Sequence, residues 1–291
     1  MGNANILTAL EANAESNRVW DVASRVSQQH QSENQVINVV KPATTVYSGL
    51  DFAPLADYGA QWKRQQLEAN TQFLHELTGL DTSHITVVEG YPADEISKAT
   101  QTHQSDLLVM GVHNRRGLKR LLGSTTHAVL NHTQCDVLAV HPEGTSQAYN
   151  TVVIAVETGD LLESVLTRAS QFTQGATVKI VSVIAPLTQV FPAPEAAAGM
   201  SWSFAELTEE IKQQTQTKIT EAAEAAGFNA QSLSLHIGEP RDEIIAAAKG
   251  CDADLIIMGS QNRGALNRMM LGSTARGVLN HTPCDVLICR G

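Results

Sequence analysis

Residues 106–111 read Asp106-Leu107-Leu108-Val109-Met110-Gly111, and the same phrase returns as Asp254-Leu255-Ile256-Ile257-Met258-Gly259, 148 positions further along (Gly111 to Gly259). Each is a short apolar run closed by glycine, the pattern of a strand buried on both faces. The chain before each run repeats at the same offset. Pro92 corresponds to Pro240, and Asp94, Glu95 and Ile96 correspond to Asp242, Glu243 and Ile244. The closing segments also match: Asn131-His132-Thr133-Gln134-Cys135-Asp136-Val137-Leu138 against Asn280-His281-Thr282-Pro283-Cys284-Asp285-Val286-Leu287. Here the offset is 149 (Cys135 to Cys284), so one residue has been gained or lost in the loop after the fourth strand.

Working outward, short β-branched runs alternate with longer stretches of helical period, which predicts βαβ units and a parallel sheet. In the first copy strands are expected near 5–10, 35–40, 84–88, 106–110 and 136–140, with helices near 15–30, 58–78, 93–104 and 124–133. In the second, strands are expected near 151–156, 177–184, 231–236, 254–258 and 285–289, with helices near 160–174, 204–226, 241–249 and 273–281. Right-handed crossovers then put helices on both faces of each sheet. The fold class is α/β: two tandem doubly wound domains, each a five-stranded parallel sheet with four helices. Ligands of such sheets sit beyond the carboxyl ends of the strands, where the strand order reverses.

A length of 291 residues suits two domains that each bury a core. The formal charge of -10 argues against general affinity for nucleic acid or an anionic membrane, both of which need a cationic surface. The one basic cluster, Arg115, Arg116, Lys119 and Arg120, reads as a solvated loop. No apolar run is long enough to span a bilayer and no leader is evident, so the expectation is a cytoplasmic protein. Cys135, Cys251, Cys284 and Cys289 form no close pair in sequence and read as small core residues.

The most specific feature is the loop from Gly259 through Ser260, Gln261, Asn262, Arg263 and Gly264 to Leu271, Gly272, Ser273 and Thr274. A strand-end glycine lets backbone approach a ligand, and a helix opening at Gly272-Ser273 offers free N–H groups and a positive dipole end to phosphate. Ser273 and Thr274 add hydroxyl donors. The alternative at this stage is that Ser273 or Thr274 simply caps the last helix.

With these residues in view, the chain resembles the universal stress protein family in its tandem two-domain form, over essentially its whole length. Members that bind ATP carry glycine, two residues, glycine, nine residues, then Gly-Ser or Gly-Thr. The second copy keeps this spacing at Gly259, Gly272 and Ser273, with Asn262 at the second glycine. Asparagine tolerates left-handed backbone angles, although its side chain crowds a phosphate. The first copy has Gly111, Asn114 and then Gly123-Ser124, one residue early. The resemblance therefore implies Rossmann-like domains over 1–144 and 149–291, related to adenine nucleotide alpha hydrolases. The first would carry a degenerate nucleotide loop. The second would bind ATP, with magnesium or manganese, through Glu157, Val183, Gly259, Asn262, Arg263, Gly272, Ser273 and Thr274.

In that scheme Glu157 at the first strand tip, matched by Glu11, meets the ribose, and the backbone near Val183, matched by Val39, faces the adenine. As residues alone, a glutamate starting a loop is a solvated group and a strand valine is core. The resemblance also implies that the closing strands, Val137–Val140 and Val286–Cys289, lie at sheet edges and join within the chain as a pseudo-dimer, which can pair again as a homodimer.

His113, His127 and His132 lie in or after the loop of the first copy, where three imidazoles could supply a zinc or other transition-metal site. His127 and His132 are five apart, off the four-residue spacing that stacks two ligands on one helix face. Asn131-His132 and Asn280-His281 instead read as helix ends. Two long apolar connections, Val46 to Trp62 and Pro186 to Phe204, read as lids, binding loops or domain packing. No conventional nucleophile–base pair is visible, so a dedicated enzyme is not expected, with slow ATP hydrolysis the one activity left open. The expectation is a stress-response regulator. Its rival is a nucleotide-independent module that holds a protein segment or apolar ligand at the strand tips.

Overall fold

The computed structural model describes residues 4–42, 56–112, 123–187, 204–260 and 271–290. The chain divides into two compact units, Met1–Pro142 and Glu143–Gly291.

Unit 1 runs β1 (Ile6–Ala9), α1 (Ser16–His30), β2 (Asn34–Val40), α2 (Ala56–Thr78), β3 (Ile85–Glu89), α3 (Pro92–Thr102), β4 (Leu107–Gly111), α4 (Ser124–His132) and β5 (Asp136–Val140). Its strands are parallel in the order β3-β2-β1-β4-β5. Unit 2 repeats this with β6 (Thr151–Ala155), α5 (Leu162–Ser170), β7 (Thr177–Ile184), α6 (Phe204–Ala225), β8 (Leu233–Ile237), α7 (Pro240–Gly250), β9 (Leu255–Gly259), α8 (Ser273–His281) and β10 (Asp285–Cys289). Its order is β10-β9-β6-β7-β8, again parallel. Even the register repeats: Ile6 pairs with Leu107, and Val152 with Leu255.

The apolar runs quoted above are the fourth strand of each unit. Leu107 to Met110 and Leu255 to Met258 are buried at every position, as strands covered on both faces must be. Their leading aspartates have a separate task. Asp106 Oδ2 accepts the Asn5 amide at 2.8 Å, and Asp254 Oδ2 accepts those of Asn150 (2.8 Å) and Thr151 (3.1 Å). Each carboxylate thus ties down the backbone where the chain enters the first strand of its unit.

Helix α1 buries Val19, Val22, Ala23 and Val26, the i, i+3, i+4, i+7 stripe of a helix laid on a sheet. Pro92 and Pro240 open α3 and α7, where a fixed φ and a missing N–H cost nothing. The acidic pairs Asp94-Glu95 and Asp242-Glu243 follow in the first turn, at the positive end of the dipole. Helix α6 ends at Gly227, whose φ of +86° suits glycine. Its N–H bonds Glu224 O at 3.0 Å while the Phe228 N–H bonds Ala223 O at 2.9 Å, closing the last carbonyls.

Helix α5 spans Leu162–Ser170, shorter than the expected 160–174, and two strand starts also shift. Single 3-10 turns, Thr82–His84 and Ala230–Ser232, precede β3 and β8, so these strands begin later than the apolar pattern suggests. The cause is local. Asp81 and Asn229 side chains accept the amides two residues on, both at 2.9 Å, and those turns displace the strand. Of the long connections, residues 56–62 belong to α2, while 46–55 and 188–203 lie outside the described residues. Among the described residues no helix is long and apolar enough to cross a membrane.

Candidate functional site

In unit 2 the chain goes from β6 to β7 on one side and returns to β9 on the other, so the strand order reverses between β6 and β9. The carboxyl ends of β6, β7 and β9 and the start of α8 enclose a cavity of about 690 Å³, mouth included. Among its lining residues are Glu157, Val183, Gly259, Gly272 and Thr274. Five of the eight residues singled out from sequence therefore meet at one place. Ser273 is the first residue of α8, beside them. Asn262 and Arg263 lie outside the described residues, as does His113.

The start of α8 is built for an acceptor. Gly272 is its N-cap, at φ -60° and ψ 158°, and supplies no side-chain cap. Neither Ser273 nor Thr274 occupies the cap position. The Gly272 N–H is used by Ser260 O at 2.8 Å, and Arg276 N returns to Gly272 O at 3.0 Å. The first-turn amides that follow lie at the positive end of the helix dipole.

Gly259 also has a packing reason. A Cβ built there would stand 3.1 Å from Leu161 Cδ1 and 3.5 Å from Val165 Cγ2. Glycine lets α5 pack against the end of β9, and the same helix residues then line the cavity. Gly111 repeats the device in unit 1, with its built Cβ 3.2 Å from Val19 Cγ2.

At the first strand tip the units part. In unit 1 the Glu11 carboxylate accepts from Asn13 Nδ2 at 2.8 Å, and Ser16 Oγ donates to Glu11 O (2.7 Å) while accepting from Glu11 N (3.0 Å). In unit 2 Gly159 and Leu162 stand where Asn13 and Ser16 stand, and Glu157 is exposed at the cavity. A second contrast, Ser260 against Val112, follows directly after the strand glycine. The equivalence is secured by the backbone: Val112 N donates to Val140 O and Ser260 N to Cys289 O, both at 2.9 Å. Ser260 was named from sequence only as part of the loop and given no binding role, because a serine after a strand carries no signature of its own.

His132 and His281 each end a helix. His132 Nδ1 lies 2.6 Å from Ala128 O and His281 Nδ1 3.0 Å from Gly277 O, each closing the last turn of its helix. His127 Nδ1 is 3.2 Å from Asn131 Nδ2. Among the described residues no group of three or more His, Cys, Asp or Glu side chains is placed to hold a metal ion. On β8, His236 links Ser234 (Nε2 to Oγ, 3.3 Å) with Glu243 of α7 (Nδ1 to Oε2, 3.1 Å). The order resembles a hydrolytic relay, but Ser234 is exposed on its strand and none of the three lines the cavity. The cluster acts as a clasp between β8 and α7.

Cys284 is buried at the start of β10, hydrogen-bonded with Thr282 Oγ1, and burial pushes its thiol up from 9.0 to about 12. The unfolded chain loses this proton near pH 9 while the folded chain keeps it, so folding stability falls as pH rises from about 9 toward 12. Urea unfolding at pH 8 and pH 10.5 should show a smaller loss of stability in Cys284→Ala than in wild type. Identical losses would show that the thiol does not contribute.

With the geometry in place, the chain can be set beside known proteins. A model of the universal stress protein family matches residues 2–141 and again 148–290. Universal stress protein A homolog 1 of Coxiella burnetii is 26% identical over 136 residues, 46% of this chain and 94% of that protein, so one copy here spans nearly all of that relative. The universal stress protein E homolog of Haemophilus influenzae is 31% identical over 80 residues, 27% of this chain and 26% of that protein. The crystal structure of a universal stress protein from Archaeoglobus fulgidus covers 99% of this chain and 96% of its own at 20% identity, with a TM-score of 0.62, which shows a shared fold.

Proposed function

We propose, on the premise that this chain belongs to the universal stress protein family, that its second unit binds an adenine nucleotide at the strand-tip cavity. The nucleotide is ATP, with magnesium or manganese, and the protein acts as a cytoplasmic stress-response regulator rather than a dedicated enzyme. The observation that carries this reading is the convergence of Glu157, Val183, Gly259, Gly272 and Thr274 on one cavity at the reversal of strand order.

The chemistry of the walls fits the parts of a nucleotide. Val156, Val181 and Val183 offer an apolar surface to a base, and Glu157 offers a carboxylate to sugar hydroxyls. The opening turn of α8 offers N–H groups and the positive end of a helix dipole to phosphate. In unit 1 the loop after the strand glycine is one residue shorter, which supports placing the site in unit 2.

Native mass spectrometry of the full chain with ATP and magnesium tests the reading. The expected result is one ATP per chain, bound below millimolar concentration. No bound ATP up to millimolar nucleotide would reject it and favour the second reading, an apolar ligand or protein segment. That rival draws on the same cavity's other wall, where Leu161, Leu162, Val165, Ile244 and Met258 are all apolar.

A further inference from the structure

Ser260 borders the cavity and is wholly buried, at 0% exposure, yet its Oγ has no hydrogen-bond partner among the described residues. A buried hydroxyl left without a partner is costly, and native proteins retain such groups where a ligand, ion or water completes them. The residue is also held in a particular place. Its N–H is fixed by Cys289 O at 2.9 Å and its carbonyl by Gly272 N at 2.8 Å, so its Cα is pinned between the end of β9 and the N-cap of α8. Rotation about χ1 moves the hydroxyl among three staggered wells without moving that backbone. In unit 1 the equivalent Val112 offers no donor.

We infer that Ser260 is a ligand-binding residue that donates its hydroxyl to a phosphate oxygen of the nucleotide in unit 2, and that Ser260 against Val112 helps determine which unit binds. This rests on the nucleotide reading above and adds its phosphate-selecting donor. The oxygen in question is shared with the first turn of α8, because Ser260, Gly272, Thr274 and Ala275 all line the same cavity. The inference also separates the two readings of the cavity. An apolar ligand would bring the hydroxyl no partner, whereas a phosphate oxygen completes it.

Ser260→Ala gives the test, measured on the full chain by calorimetric titration with ATP and with adenosine and by thermal unfolding without ligand. A hydrogen bond to a charged acceptor is worth enough to weaken ATP by about tenfold to a hundredfold. Adenosine, which has no phosphate, should keep its affinity within about twofold by the same argument. The ligand-free variant should melt no lower than wild type, since the hydroxyl has no partner among the described residues. Wild-type ATP affinity in the variant would overturn this inference and leave the nucleotide reading standing. Equal losses for ATP and adenosine would overturn the phosphate assignment. A clearly lower melting temperature would show that the hydroxyl has a structural partner after all. Absence of ATP binding by the wild-type chain would overturn both the inference and the reading beneath it.

Discussion

Gly272→Asp is expected to abolish ATP binding while leaving the fold intact. The backbone of Gly272, at φ -60° and ψ 158°, is in the extended region where aspartate is among the best N-cap residues. A carboxylate there would accept first-turn amides of α8, supply the side-chain cap that the helix lacks, and favour the dipole. The same carboxylate would stand in the cavity where the proposed site puts phosphate. Two like charges about 4 Å apart repel by roughly 4 kcal/mol at the effective dielectric of a protein surface, which corresponds to a loss of more than about a hundredfold. Equilibrium titration should therefore show no ATP binding at concentrations that saturate wild type, while thermal unfolding shows equal or greater stability. This opposition of signs is what distinguishes a binding residue from a structural one. If Gly272→Asp bound ATP as tightly as wild type, the nucleotide would have to sit elsewhere.

Much of the architecture was visible in the sequence because parallel strands leave a strong trace. A strand covered on both faces cannot alternate, so Leu107 to Met110 and Leu255 to Met258 stand out as unbroken apolar runs. Pro92 and Pro240, each followed by two acids, mark helix starts by a mechanism that needs no partner from elsewhere in the chain. The strand starts that shifted, at β3 and β8, did so because Asp81 and Asn229 bond their own neighbourhood. Hydrophobic period alone does not register that competition.

The site was legible in its glycines and opaque in its contacts. Gly272 could be placed because a helix start is a local event. At Gly259 a built Cβ meets Leu161, at the start of α5, and that contact joins residues about a hundred positions apart. Ser260 was given no binding role for a related reason. Its burial follows from β10 on one side and α8 on the other, through bonds to Cys289 O and from Gly272 N, and nothing adjacent in sequence signals either. Helix-end histidines show the reverse: an i to i-4 contact is local, and His132 and His281 take the places their sequence suggests.

The two units supply their own control for the second large effect. Valine at Gly259 adds a Cβ 3.1 Å from Leu161 Cδ1, with two further methyl-bearing branches, against side chains that also form the cavity wall. Overpacking of this kind costs about 1–3 kcal/mol, and here the displaced atoms are Leu161 and Val165 of the ligand wall. Valine at Gly111 makes the matching intrusion, 3.2 Å from Val19 Cγ2, in unit 1. Similar packing damage is therefore expected from both, but only Gly259→Val should also remove nucleotide binding. Hydrogen exchange resolves the first effect, with faster exchange in α5 peptides for Gly259→Val and in α1 peptides for Gly111→Val. ATP titration resolves the second, with Gly111→Val binding as wild type and Gly259→Val losing more than about tenfold, by displacement of a preformed wall. Loss of ATP binding in Gly111→Val alone would move the nucleotide to unit 1, and the one-residue difference between the loops would then have to favour the shorter.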